Sequence, residues 1–120
     1  MVRREASFRE PVAWQKSMTL VEEIYRETRS WPAEERFGLT AQVRRAAVSV
    51  PAKISAGSGR SGSAELRLHL SIAHGSCCEV QTLLEVGHRL GFSTAQNFDE
   101  LLAASEEVSR IIRGFIRSLA

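Results

Sequence analysis

Two cysteines are the chain's whole supply of thiols, and they are neighbours, Cys77 and Cys78. Adjacent residues on a helix point about 100° apart, so a bond between them is strained and closes no loop. That excludes a disulfide-stapled scaffold. Prolines number three and glycines eight in 120 residues, too few for a collagenous or low-complexity chain. The N-terminal stretch MVRREASFREP has no apolar centre of the kind a secretory signal requires, and no window approaches the roughly 20 apolar residues that span a bilayer. The expectation is a cytoplasmic protein without a membrane segment. The charge excess is also small: +2 overall, with an isoelectric point near 8.8. Any affinity for nucleic acid must therefore come from local clustering of cations.

What is present is helical periodicity. With 43% hydrophobic and 25% charged residues, the chain suits one globular domain over 1–120. A mobile N-terminal arm is expected over residues 1–9. From Pro11 to about Arg29, Trp14, Met18, Val21, Ile24, Tyr25 and Thr28 fall at three- and four-residue spacings and predict an amphipathic helix. Ser30-Trp31-Pro32 ends it, because the residue before proline disfavours helical backbone. A second helix follows from Leu39, with Val43, Ala46, Ala47, Val50 and Ile54 on its apolar face, and is expected to bend at Pro51. Arg45, Ser49, Ala52 and Ala56 give it a second stripe of mostly small side chains, room for another helix to come close.

Gly57 to Ser63 reads as a connection, with Ser63 as N-cap of a long third helix to about Leu90. There Leu66, Leu70, Ala73, Cys77, Val80 and Leu84 form one face, while Leu68, Ile72, Leu83 and Val86 lie outside it. A helix apolar on more than one side needs cover that four helices scarcely supply, which points to self-association. Gly91 is placed to end this helix in left-handed conformation, with Phe92 as the accompanying apolar contact. Ser93 and Gln96 have the spacing of a capping box for the last helix, whose seam is Phe98, Leu101, Ser105, Val108, Ile112, Phe115 and Leu119. The fold class is all-α: an up-and-down antiparallel four-helix bundle.

Chemical motifs are sparse. Gly57, Gly59 and Gly62 spell GxGxxG with Glu79 downstream, but a dinucleotide fold needs strands, and the surrounding segments have helical period. His69, His74, His88, Cys77 and Cys78 provide no second helix with matching ligands, so no metal or cofactor is implied. Serines are plentiful without an elbow motif, and no catalytic constellation emerges. Arginine is the informative residue. Arg36, Arg44, Arg45, Lys53 and Arg60 occur with no acid between Arg36 and Arg60. Arg110, Arg113 and Arg117 share one helix face, and Arg3, Arg4 and Arg9 lie near the N-terminus. Such guanidiniums suit phosphate contacts. The competing reading is structural: solvated charge stripes, dipole-complementing arginines in a last turn, or an ion pair of Arg44 or Arg45 with Glu79.

Three motifs carry a family resemblance: Trp14-Gln15-Lys16-Ser17-Met18; Glu35-Arg36-Phe37-Gly38-Leu39-Thr40 leading into Gln42-Val43-Arg44-Arg45-Ala46-Ala47-Val48-Ser49-Val50-Pro51; and Ala73-His74-Gly75-Ser76-Cys77-Cys78-Glu79. Over about residues 8 to 119 the chain resembles the four-helix bundle family of 23S rRNA intervening-sequence proteins, which includes the accessory variability determinant of diversity-generating retroelements. The resemblance implies a homopentamer without enzymatic activity. It also implies a possible RNA or DNA ligand and a possible reverse-transcriptase partner, with Arg44, Arg45 and Arg60 as candidate contacts. The chain departs from the family after the proline, where Lys53-Ile54-Ser55-Ala56-Gly57 replaces the pattern N-I-A-E-G. The alternative is a bundle that serves protein interaction or structure alone.

Overall fold

The computed structural model describes residues 8–59 and 62–119. Four helices account for most of them: α1 (Arg9–Thr28), α2 (Leu39–Ser58), α3 (Ser63–Arg89) and α4 (Ala95–Ser118), with a short 3-10 turn over Ala33–Glu35. Each helix packs on its two neighbours in an up-and-down bundle 48 × 25 × 18 Å, with α2 against α3 the most extensive pair. No strand occurs among the described residues, so the glycine triplet has no sheet to serve. No helix there is long and apolar enough to cross a membrane.

The core follows the predicted seams in three helices. Val43, Ala46, Ala47, Val50 and Ile54 of α2, Leu66, Leu70, Ala73, Cys77, Val80 and Leu84 of α3, and the whole α4 seam are buried. Helix α2 stays helical across Pro51, whose missing N–H removes one rung of the ladder. Small side chains let α2 and α3 approach closely. Ser49 Oγ lies 2.9 Å from Ser76 Oγ, and a Cβ on Gly57 would fall 2.7 Å from Cβ of His69.

Helix α1 departs from expectation. Its buried face is Ala13, Ser17, Leu20, Ile24 and Thr28, whereas Trp14 and Tyr25 are each 38% exposed. Ile24 and Thr28 are buried as expected, but Ala13, Ser17 and Leu20 take the buried places expected of Trp14, Met18 and Val21, each one residue, about 100°, round the helix. Alanine and serine carry little apolar signal, yet their small size is what the close packing needs. Ser17 is buried because its hydroxyl bonds back to the Trp14 carbonyl at 2.8 Å. The helix also begins at Arg9, inside the segment expected to be a mobile arm; residues 1–7 lie outside the described residues, and Arg3 and Arg4 with them.

One end of the bundle is closed by Trp31. Its ring lies over Gly87, where a Cβ would come within 2.6 Å of the indole. Its Nε1 donates to Ser93 Oγ at 3.1 Å, and Ser93 donates onward to Glu27 Oε2 at 2.6 Å. Asn97 Nδ2 donates to the other carboxylate oxygen, Oε1, at 3.0 Å. This network displaces the expected capping box. Ser93 is committed to Trp31 and Glu27, and Thr94 caps α4 by accepting from the Asn97 backbone N–H at 3.1 Å. At the start of α3, Gly62 rather than Ser63 is the N-cap, with a φ of 90° that favours glycine. The end of α3 is as predicted: Gly91 has a φ of 83°, its N–H bonds to the His88 carbonyl and that of Phe92 to the Gly87 carbonyl. This is the paired Schellman closure.

Candidate functional site

The arginines of the acid-free window meet α1 in a groove. Tyr25 from α1, Arg36 from the connection, and Ala41, Arg44, Arg45, Val48 and Ser49 from α2 line an open cavity of about 560 Å³. No carboxylate is among them. The helical period sets this arrangement: Ala41, Arg44, Arg45, Val48 and Ser49 are one turn apart on the α2 face that looks away from Val43, Ala47 and Val50.

Arg44 is fixed within it. Its guanidinium carbon lies 4.4 Å from the centroid of the Tyr25 ring, a cation–π contact. Its Nε donates to Thr28 Oγ1 at 2.8 Å and Nη2 to the Tyr25 carbonyl at 3.4 Å. Thr28 passes its own proton to the Ile24 carbonyl at 2.7 Å. Arg44 thus also serves the last carbonyls of α1, where a cation complements the helix dipole. The competing ion pair with Glu79 does not form: among the described residues neither Arg44 nor Arg45 is paired with Glu79, because Arg44 turns to α1 and Glu79 stands on the outward side of α3. Arg45 is exposed. The Arg36 guanidinium carbon lies 5.0 Å from the centroid of the Phe37 ring, which is not itself part of the wall, and that ring is 85% exposed.

The remaining predicted cations do not join this groove. Lys53 lies two turns beyond Arg45 along α2, and Arg60 is outside the described residues. Arg110 and Arg113 belong to the α3–α4 side, opposite α1–α2 in the bundle order, where they line a smaller cavity of about 370 Å³ with Gln81, Glu106 and Ser109. Arg117 is exposed on the same helix, α4. Arg113 is exposed but tethered: Nη1 donates to Ser109 Oγ at 3.1 Å and lies 3.3 Å from His74 Nε2. Ser109 Oγ is 2.9 Å from that same nitrogen, so a neutral imidazole with Nε2 as acceptor completes the chain. Burial, and then the charge of Arg113, lower the His74 pKa below its usual value.

The two thiols differ in their surroundings: Cys78 is exposed, with its Sγ 3.9 Å from His74 Nδ1. Cys77 is buried, donates to the Ser105 carbonyl at 3.1 Å, and has its pKa pushed up to about 12, chiefly by burial and then by Cys78. Among the described residues no group of three histidines, cysteines or carboxylates is placed to hold a metal ion. Sequence reasoning missed two rings, Tyr25 in the groove wall and Phe37 beside Arg36. Tyr25 was assigned to the core face, and Phe37 follows an arginine in a turn where no helical period marks its direction.

Four antiparallel helices around one core, with short connections, define the class as an up-and-down bundle. The sequence matches the family described as 23S rRNA-intervening sequence protein over residues 9–114, and the chain belongs to that family. Its fold is similar to a crystal structure from Bacteroides thetaiotaomicron, described as a protein of unknown function from the S23 ribosomal protein family. The two share 21% identity at a TM-score of 0.85, over 92% of this chain and 99% of the other. A search of curated proteins gives no match.

Proposed function

We propose that the chain is a non-enzymatic, cytoplasmic, homo-oligomeric module that associates with nucleic acid, alone or within a ribonucleoprotein or reverse-transcriptase assembly. The observation that carries this reading is the α1–α2 groove, where Arg36, Arg44 and Arg45 meet with no carboxylate in the wall. In a protein of net charge +2, this is where phosphate would gain most. Titration of RNA and of duplex DNA at about 50 and 200 mM salt tests it, because phosphate-driven affinity falls steeply over that range. Arg45→Glu, at an exposed position, is expected to weaken binding and flatten the salt dependence. Absence of binding at the lower salt overturns the reading in favour of a purely structural or protein-interaction bundle.

Self-association has its own support on α3. Leu68, Ile72, Gly75, Glu79, Thr82 and Val86 follow alternating steps of four and three residues and are all exposed, Leu68 at 57% and Ile72 at 42%. A second apolar seam of this spacing suits helix packing between copies. This seam and the α1–α2 groove share no residue. Five copies are proposed. A light-scattering mass five times the 13.3 kDa of the chain is expected, and a mass of 13.3 kDa at micromolar concentration overturns assembly.

A further inference from the structure

We propose that the α1–α2 groove selects unpaired nucleotides over duplex, with Tyr25 and Phe37 as stacking platforms beside the arginines. The inference rests on the nucleic-acid reading above and adds the class of ligand. Cation alone does not distinguish a single strand from a duplex, because both present phosphates. Rings do. A base reaches an aromatic side chain or a guanidinium plane only when it has left its own stack.

The groove offers two such assemblies. Tyr25 and Arg44 form a stack already built, 4.4 Å apart, and Arg44 is held there by Thr28 and the Tyr25 carbonyl. Little side-chain freedom is left to lose when a ligand arrives. In the connection, Phe37 is 85% exposed, whereas Trp31, the larger aromatic side chain of the same segment, is buried. Arg36 lies over its ring at 5.0 Å and also lines the groove, so one guanidinium links the exposed ring to the cavity wall. Val48 and Ala41 give the wall apolar surface between the charges. Alternating planar and cationic groups in a wall free of carboxylates complement a strand whose bases and phosphates alternate. An acidic peptide would meet the charges and leave the planes unused.

Phe37→Leu is the decisive variant, since its ring is exposed and its loss leaves the core intact; Tyr25→Leu is the second, with its melting transition compared with that of the parent chain. The probes are a short single-stranded RNA carrying a fluorescent adenine analogue that is quenched by stacking, and a hairpin duplex with the same number of phosphates. The parent chain is expected to bind the single strand about tenfold more tightly and to quench the analogue. Each variant is expected to lose about tenfold on the single strand together with the quenching, while duplex binding and the salt dependence stay unchanged. Equal affinity for both probes, unaltered by the variants, overturns stacking and leaves the phosphate reading standing. No binding of either probe at about 50 mM salt overturns both. Displacement of the strand by a glutamate-rich peptide at lower concentration overturns the inference in favour of a protein partner.

Discussion

Leu66, Leu70, Ala73, Cys77, Val80 and Leu84 run down one side of α3, and Leu68, Ile72, Gly75, Glu79, Thr82 and Val86 run down the other. Both sets step by four and three residues, and the second is the first moved on by two positions, about 200° round the helix. Every member of the inner set is buried and every member of the outer set is exposed. Spacing alone therefore does not tell a core face from an interaction face. The difference lies in what interrupts the pattern: the inner seam holds only apolar residues, whereas Gly75, Glu79 and Thr82 break the outer one. An unbroken seam defines the fold, and a broken one leaves room for a surface that meets water before it meets a partner.

The largest expected separation of the two seams comes from matched truncations. Leu70→Ala should lower stability by about 2 to 5 kcal/mol in urea denaturation, because Leu70 is fully buried. Glutamate at both Leu68 and Ile72 should move the unfolding free energy of the single chain by only about 0.5 kcal/mol, while abolishing assembly in light scattering. Comparable losses at both seams would break the comparison. Gly87 extends the inner seam by one step and sharpens it from the opposite direction. Gly87→Ala adds a methyl 2.6 Å from the Trp31 ring, and about 1 to 3 kcal/mol of destabilisation is expected in the same assay. His74, on the flank between the seams, gives the smallest effect. Its lowered pKa means the unfolded chain binds the proton more readily, so its contribution is full above the unfolded value of 6.5 and is lost as pH falls through the folded value. The melting temperature should fall less on going from neutral pH to about pH 5 in His74→Gln than in the parent chain.

Much of the architecture was legible because long apolar seams leave few alternatives. All seven α4 seam residues are buried as their spacing predicts, and Gly91 adopts the left-handed conformation that its place after α3 suggests. Two of the misreadings share a cause: a side chain engaged over long sequence distance. Ser93 has the right spacing to cap α4 but hydrogen-bonds to Trp31 and Glu27, more than sixty residues away. The acid-free window around Arg44 is visible in the sequence, yet its seat on Tyr25 and Thr28 depends on the angle at which α1 meets α2. On α1 the error ran through size: Ala13 and Ser17 are chosen for closeness, and a hydrophobicity pattern ranks them below Trp14 and Met18.

Trp31 and Trp14 are the chain's two tryptophans; Trp14 stands in the second turn of α1 and Trp31 just beyond that helix's far end. One is buried with its N–H bonded to Ser93, and the other is 38% exposed. The molecule thereby carries two optical reporters in contrasting surroundings, one at the closed end and one near the start of α1. Replacing either by phenylalanine isolates the other, so fluorescence can follow the joint and the opposite end separately. Coincident transitions would mark the bundle as a single cooperative unit, and divergent ones would locate the end that opens first.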